Sequence, residues 1–135
     1  MGHAPTPVIL LISDDSRFIY LIARYGSRCG GQVINASTLY AALAQIQQAR
    51  PALVVLDGLL SPPDGWQILR ALKADPATCA ILVALASAVG DEARAWEEGA
   101  DYWLAQPVLY DDFLAVLRTI DAVARHTPPG SRDED

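Results

Sequence analysis

Apolar residues fall along this chain in short continuous runs, separated by stretches with helical spacing. Val8-Ile9-Leu10-Leu11-Ile12 is rich in strand-formers and apolar at every position, the mark of a strand covered on both faces. It ends at Ser13-Asp14-Asp15. From Ser16 to Cys29 the residues Phe18, Ile19, Leu21, Ile22 and Tyr25 recur at helical spacing, and Gly30-Gly31 then supplies a left-handed stop. Gln32 to Ala36 reads as a strand, Ser37 or Thr38 as a cap, and Leu39 to Ala49 as a helix ended by Pro51. Ala52-Leu53-Val54-Val55-Leu56-Asp57 is a second apolar run, and it closes on a carboxylate. After the loop from Gly58 to Pro63, Asp64 is placed to cap a helix that buries Trp66, Ile68, Leu69 and Leu72 and closes at Asp75-Pro76. Ala80 to Ala86 is a third apolar run. Asp91 opens a short helix through Trp96 to Glu98, and Gly99-Ala100-Asp101 turns into a last strand, Tyr102 to Ala105, ended by Gln106-Pro107. Asp111 or Asp112 opens a final helix with Phe113, Leu114, Val116, Leu117 and Ile120 as its apolar stripe. The spacing of Trp66 and Trp96 within their helices fits burial of both.

Strands that alternate with helices pair in parallel through right-handed crossovers. The expected fold is therefore α/β, a doubly wound parallel sheet in three layers. One domain is expected over residues 8–125, and the polar stretch 126–135, with its Pro and Gly, is expected to fray. In such sheets ligands bind beyond the carboxyl ends of the strands. In this chain those ends carry Asp14, Asp15 and Asp57.

Composition narrows the function classes. The 135 residues are 52% hydrophobic and only 19% charged, too apolar for disorder. A net charge of -6 opposes a phosphate backbone, so no nucleic-acid partner is expected. No apolar run, neither Val8 to Ile12 nor Ala80 to Ala86, is long enough to span a bilayer, and no membrane segment is expected. The start Met1-Gly2-His3-Ala4-Pro5-Thr6 matches the loose pattern for acylation of Gly2, one short enough to arise by chance. Cys29 and Cys79 have neither metal-clip spacing nor disulfide density. They read as buried or half-buried thiols in a cytoplasmic protein.

If the first and third strands are neighbours, Asp14, Asp15 and Asp57 converge in one shallow pocket. Two unit charges roughly 5 Å apart at an effective dielectric of about 20 repel by about 3 kcal/mol, so such a cluster calls for a cation. Mg²⁺ suits it, because it binds through one or two carboxylates, several waters and a phosphate oxygen. A metal in turn points to phosphoryl chemistry, in which Asp57 attacks phosphorus to form an acyl phosphate. Taken singly, Asp57 reads as a polar strand terminus and Asp14-Asp15 as a helix cap.

The segments Val8 to Asp15, Leu53 to Asp57 and Pro63-Asp64-Gly65-Trp66, with Glu98-Gly99-Ala100-Asp101-Tyr102 and Gln106-Pro107, resemble the receiver domain of two-component response regulators over nearly the whole chain. The resemblance implies a flavodoxin-like, five-stranded sheet of order 2-1-3-4-5. It implies Asp57 as the phosphoryl acceptor, Asp15 as a direct Mg²⁺ ligand, Asp14 as a ligand through water and Leu59 as a backbone-carbonyl ligand. The implied partners are a histidine kinase or phosphotransfer protein and a downstream protein. Contacts with these, or with a second copy, would fall on the last two strand-helix units around Trp96 and Trp103. The tail from Thr127 to Asp135 is too short and polar for an output module, so output is expected through binding, and the protein is not expected to be an enzyme.

Two departures stand against that pattern. The family's lysine before the proline is neutral Gln106 here, and the only lysine, Lys73, is expected to point away from the pocket. The family's hydroxyl at the end of the fourth strand falls on Ala86, with Ser87 one residue late. A slip of one residue would restore the hydroxyl but exchange the faces of the strand. Trp103 occupies the aromatic switch position, where simple packing is an equal reading. Two functions stay open on these residues: a phosphorylatable receiver, and an atypical receiver that binds partners without phosphorylation. A third class, an aspartyl phosphatase or a flavin protein, is disfavoured by Leu59 two residues after Asp57 and by the lack of a phosphate loop after the first strand.

Overall fold

The computed structural model describes residues 6–60 and 64–126, with side chains as far as Asp121. The start Met1 to Pro5, the loop residues Ser61 to Pro63 and the tail Thr127 to Asp135 lie outside the described residues. Five strands, β1 (Val8–Ile12), β2 (Gln32–Ala36), β3 (Leu53–Asp57), β4 (Val83–Ser87) and β5 (Tyr102–Ala105), form one sheet of order β2-β1-β3-β4-β5. All neighbouring pairs are parallel. Helices α1 (Ser16–Arg28), α2 (Leu39–Ala49), α3 (Gly65–Ala74), α4 (Glu92–Glu97) and α5 (Tyr110–His126) complete the alternation.

Strand alternation divides the core into two. Leu10, Ile12, Val54, Leu56, Val83 and Leu85 face α2, α3 and α4, meeting Ile46, Trp66, Leu69 and Ala95. Ile9, Leu11, Leu53, Val55, Ala84 and Ala86 face the other way, against Phe18 and Ile22 of α1 and Phe113 and Val116 of α5. Burial on both faces explains why β1, β3 and β4 read as unbroken apolar runs. Thr38, the second of the two candidate caps, accepts from the Ala41 amide at the start of α2. Asp64 accepts from the Gln67 amide while the Gln67 side chain accepts from the Asp64 amide, a reciprocal capping box. Replacing Asp64 with Ala should cost about 1 kcal/mol and lower Tm by about 3–5 °C. Thermal unfolding that stays within 1 °C of wild type would show the cap to be idle.

Several elements differ from expectation. β4 begins at Val83 rather than Ala80, because the chain is still turning: the Thr78 and Cys79 amides donate to Asp75 O, Ile81 N donates to Thr78 O, and the Thr78 hydroxyl donates to Leu72 O. α5 begins at Tyr110, one residue before the earlier candidate start, Asp111, and reaches His126. Cys79, in that turn, is exposed rather than buried, while Cys29 is half-buried. Trp66 is buried, but Trp96 is 46% exposed, since on so short a helix Ala95 takes the inward position. The Arg94 guanidinium instead covers the Trp66 ring at 3.9 Å, and Glu98 pairs with Arg70 at 3.1 Å, fastening α4 to α3.

Candidate phosphoryl-acceptor site

The pairings Ile12↔Leu56 and Asp57↔Ala86 bring three strand ends side by side, with Asp57 between the end of β1 and the end of β4. Ser13 follows Ile12 and, by the same alternation, shares the α1 and α5 side of the sheet with Asp57 and Ala86. Asp57 is 2% exposed, and among the described residues its hydrogen-bond donors are neutral. The Ser13 hydroxyl donates to Oδ2 at 2.8 Å. The Leu59 amide donates to Oδ1 at 2.9 Å, and the Gln106 side-chain amide donates to the same oxygen at 3.0 Å. A buried carboxylate needs such donors, because a polar group taken out of water without hydrogen-bond partners is costly.

The other two acids do not join it. Asp14 and Asp15 are exposed, and Asp15 is the N-cap of α1, accepting from the Arg17 amide at 2.9 Å. Among the described residues no group of three or more His, Cys, Asp or Glu is arranged to hold a metal. The expected convergence of Asp14, Asp15 and Asp57 is therefore not present in this arrangement. The helix N-terminus offers Asp15 a neutral N–H, whereas approach to Asp57 would bring like charges together. The donors present remain hard oxygens, the type that Mg²⁺ takes.

The neutral residue at the lysine position is engaged after all. Gln106 Nε2 reaches Asp57 Oδ1 and also donates to Ala86 O at 2.9 Å, so one side chain ties the ends of β3 and β4 to the loop after β5. Lys73 lies elsewhere, as expected: its ammonium donates to Cys79 O, Ile81 O and Asp101 Oδ2. Asp101 also accepts from the Val83 amide, so this pair anchors the start of β4. Burial first, and then the Asp101 charge, push the Tyr102 hydroxyl above its ordinary range.

The register decides between Ala86 and Ser87. Ala86 is paired with Asp57 and presents only a methyl group to the α1 and α5 side. Ser87 is fully buried, falls on the other face by alternation, and its Oγ accepts from Trp103 Nε1 at 3.0 Å. Trp103 is half-buried against the core on that side. Ser87 and Trp103 thus form a pair of their own.

Sequence reasoning missed two residues. In sequence Ser13 reads only as a strand end, although a hydroxyl closing an otherwise apolar strand three residues before a helix is a visible signal. Gly65, in the Pro63-Asp64-Gly65-Trp66 segment, is required sterically: a Cβ there would lie 2.3 Å from Asp57 O and 2.7 Å from Gly58 Cα. The carboxyl ends of the strands form an open surface rimmed by exposed Leu59, Val89 and Leu109. A cavity of about 500 Å³ lies at the opposite end, bordered by Val8, Cys29 and Leu117.

The model of the response regulator receiver domain family matches residues 9–118. The chain is 30% identical over 128 residues to the phosphate regulon transcriptional regulatory protein PhoB of Pseudomonas aeruginosa, covering 93% of this chain and 55% of that protein. It is 34% identical over 115 residues to the transcriptional regulatory protein HprR of Escherichia coli, covering 82% and 49%. The chain thus spans about half the length of these relatives. Among solved structures, a putative response regulator from Chloroflexus aurantiacus superposes with a TM-score of 0.78 at 24% identity, covering 87% of this chain and 99% of that one. Chemotaxis response regulator CheY4 of Vibrio cholerae does so with a TM-score of 0.74 at 18% identity, covering 86% and 99%. At these identities the structural likeness carries the fold.

Proposed function

The chain belongs to the response regulator receiver family, and from that premise we propose that it accepts a phosphoryl group on Asp57 from a histidine kinase or phosphotransfer protein and signals through protein contacts in the cytoplasm. The observation that carries this reading is the buried, ionisable Asp57, oriented by Ser13, Leu59 N and Gln106 at the open end of the sheet. In the transfer, an Asp57 oxygen forms the new O–P bond, and the bond to the donor breaks with its electron pair leaving on the donor group. The amides of Leu59 and Gln106 then stand beside the phosphoryl oxygens.

Mg²⁺ belongs to this proposal: Asp15, Asp57 and the Leu59 carbonyl would hold it directly and Asp14 through water. There it would supply charge neutralisation to the transferring phosphoryl group. The protein acts as acceptor and binding module rather than as an enzyme with a released product of its own. Among the described residues no helix is long and apolar enough to cross a membrane. The downstream partner, or a second copy, is assigned to the last two strand-helix units, where Trp96 is exposed.

The atypical reading, binding without phosphorylation, is favoured by one observation: Gln106 already supplies Asp57 with a donor that needs no phosphate to recruit it. Incubation with Mg²⁺ and acetyl phosphate, followed by intact mass, separates the two. Wild type should gain one phosphoryl group, and Asp57→Asn none. A wild type that gains nothing, or an Asp57→Asn variant that gains as much, overturns phosphorylation at this site.

A further inference from the structure

Ser13 holds a position that the missing hydroxyl on β4 throws into relief. Asp57 has two strand neighbours, and on the β4 side Ala86 offers no polar atom from its side chain. On the β1 side stands Ser13, with no exposed surface, its hydroxyl 2.8 Å from Asp57 Oδ2. The direction of that hydroxyl is fixed. Its oxygen accepts from the Asp15 amide at 3.0 Å, which directs its single proton to the carboxylate. The backbone beneath it is pinned as well, Ser13 N donating to Ala36 O and Ser13 O accepting from Asn35 Nδ2. This is a rigid, neutral, water-excluded donor aimed at the acceptor carboxylate.

Such a donor does not serve the two states of Asp57 equally. A hydrogen bond to an ionised oxygen is roughly twice as strong as one to a neutral oxygen. Once Asp57 is an acyl phosphate, neither of its own oxygens carries the full carboxylate charge, and the Ser13 bond weakens. When water attacks phosphorus, the O–P bond breaks with its electron pair returning to Asp57. The water proton leaves with the phosphate, and Ser13 keeps its proton throughout. The Ser13 bond strengthens along that path.

We propose that Ser13 is a positioning residue that favours the free carboxylate of Asp57 and so shortens the life of its acyl phosphate. This rests on the reading of Asp57 as the acceptor. The hydroxyl acts through Asp57 and does not bind the phosphoryl group.

The test follows decay of the phosphorylated protein by intact mass after removal of acetyl phosphate, in wild type, Ser13→Ala, Ser13→Cys and Ser13→Thr, with Tm measured for each. Loss of the donor should lengthen the half-life about five-fold in Ser13→Ala. Ser13→Cys, which fills the same space with a weak donor, should follow it, and Ser13→Thr should decay as wild type does. A purely structural role predicts the opposite grouping, with Cys like wild type and half-lives tracking Tm. That grouping, or a half-life in Ser13→Ala equal to or shorter than that of wild type, overturns the proposal. A wild type that takes up no phosphoryl group overturns the assignment of Asp57 as acceptor, and the role of Ser13 falls with it.

Discussion

Substituting Gly65 with Ala should destabilise the protein by about 3 kcal/mol, lower Tm by about 10 °C and abolish uptake of phosphoryl groups at Asp57. Gly65 is the first residue of α3, packed directly under the end of β3. An added Cβ would lie 2.3 Å from Asp57 O, 2.7 Å from Gly58 Cα and 2.9 Å from Asp57 C. All three are backbone atoms of the segment that carries Asp57, so no side-chain rotation relieves the clash. Either α3 moves off the sheet, exposing Trp66 and Leu69, or the Asp57-Gly58 backbone moves and withdraws Asp57 from Ser13, Leu59 N and Gln106. Gly30→Ala is the control. Its φ of +82° makes Ala unfavourable, but nothing lies within 4 Å, so it should cost only about 1–2 kcal/mol and leave Asp57 reactive. Chemical denaturation and intact mass on both variants check this, and a Gly65→Ala protein as stable and reactive as wild type would remove the steric argument.

Gln106→Lys is expected to tighten beryllofluoride binding, measured by Trp fluorescence in the presence of Mg²⁺, by about tenfold. A charge-assisted hydrogen bond is stronger than a neutral one by about 1–2 kcal/mol, and 1.4 kcal/mol is a factor of ten. Gln106 Nε2 now stops at Asp57 Oδ1 and Ala86 O, at 3.0 and 2.9 Å. A lysine nitrogen stands one bond further from the backbone, so it reaches past the carboxylate to the group attached there. The ammonium also attracts the resting carboxylate, which offsets part of the gain. Trp103 gives the signal, because it lies on β5 three residues before the exchange and is bonded to Ser87 on the opposite face. Affinity equal to or weaker than that of wild type would mean that the neutral amide is already the better donor for this pocket.

The elements were legible because their causes are local. An apolar run of five residues, a cap such as Thr38 or Asp64 and a stop at Gly30 each act within a few residues, and α2, β2 and β5 begin and end where the spacing places them. The start of β4 is not legible in the sequence because Ala80 to Leu82 are as apolar as the strand itself. The turn that delays it is set by contacts of Asp75, Thr78 and Leu72 outside that run. Trp96 departs from its helical spacing because six residues of helix leave Ala95 as the one buried position of α4.

By itself the sequence determined the alternating layout, the two-faced burial of the central strands and the arrival of Asp14, Asp15 and Asp57 at strand ends. Tertiary structure alone decided what those acids do. The register of β3 against β4 put Ala86 rather than Ser87 beside Asp57, and the register of β1 put Ser13 on its other side. Folding brought Gln106 to Asp57 across 49 positions of sequence and Ser13 across 44, and it left Asp15 capping α1. The physical reason is one of range. Periodicity specifies which side chains share a face of an element, but a polar group at the end of a strand is satisfied by its neighbours in space, and these are named only when the strands pair.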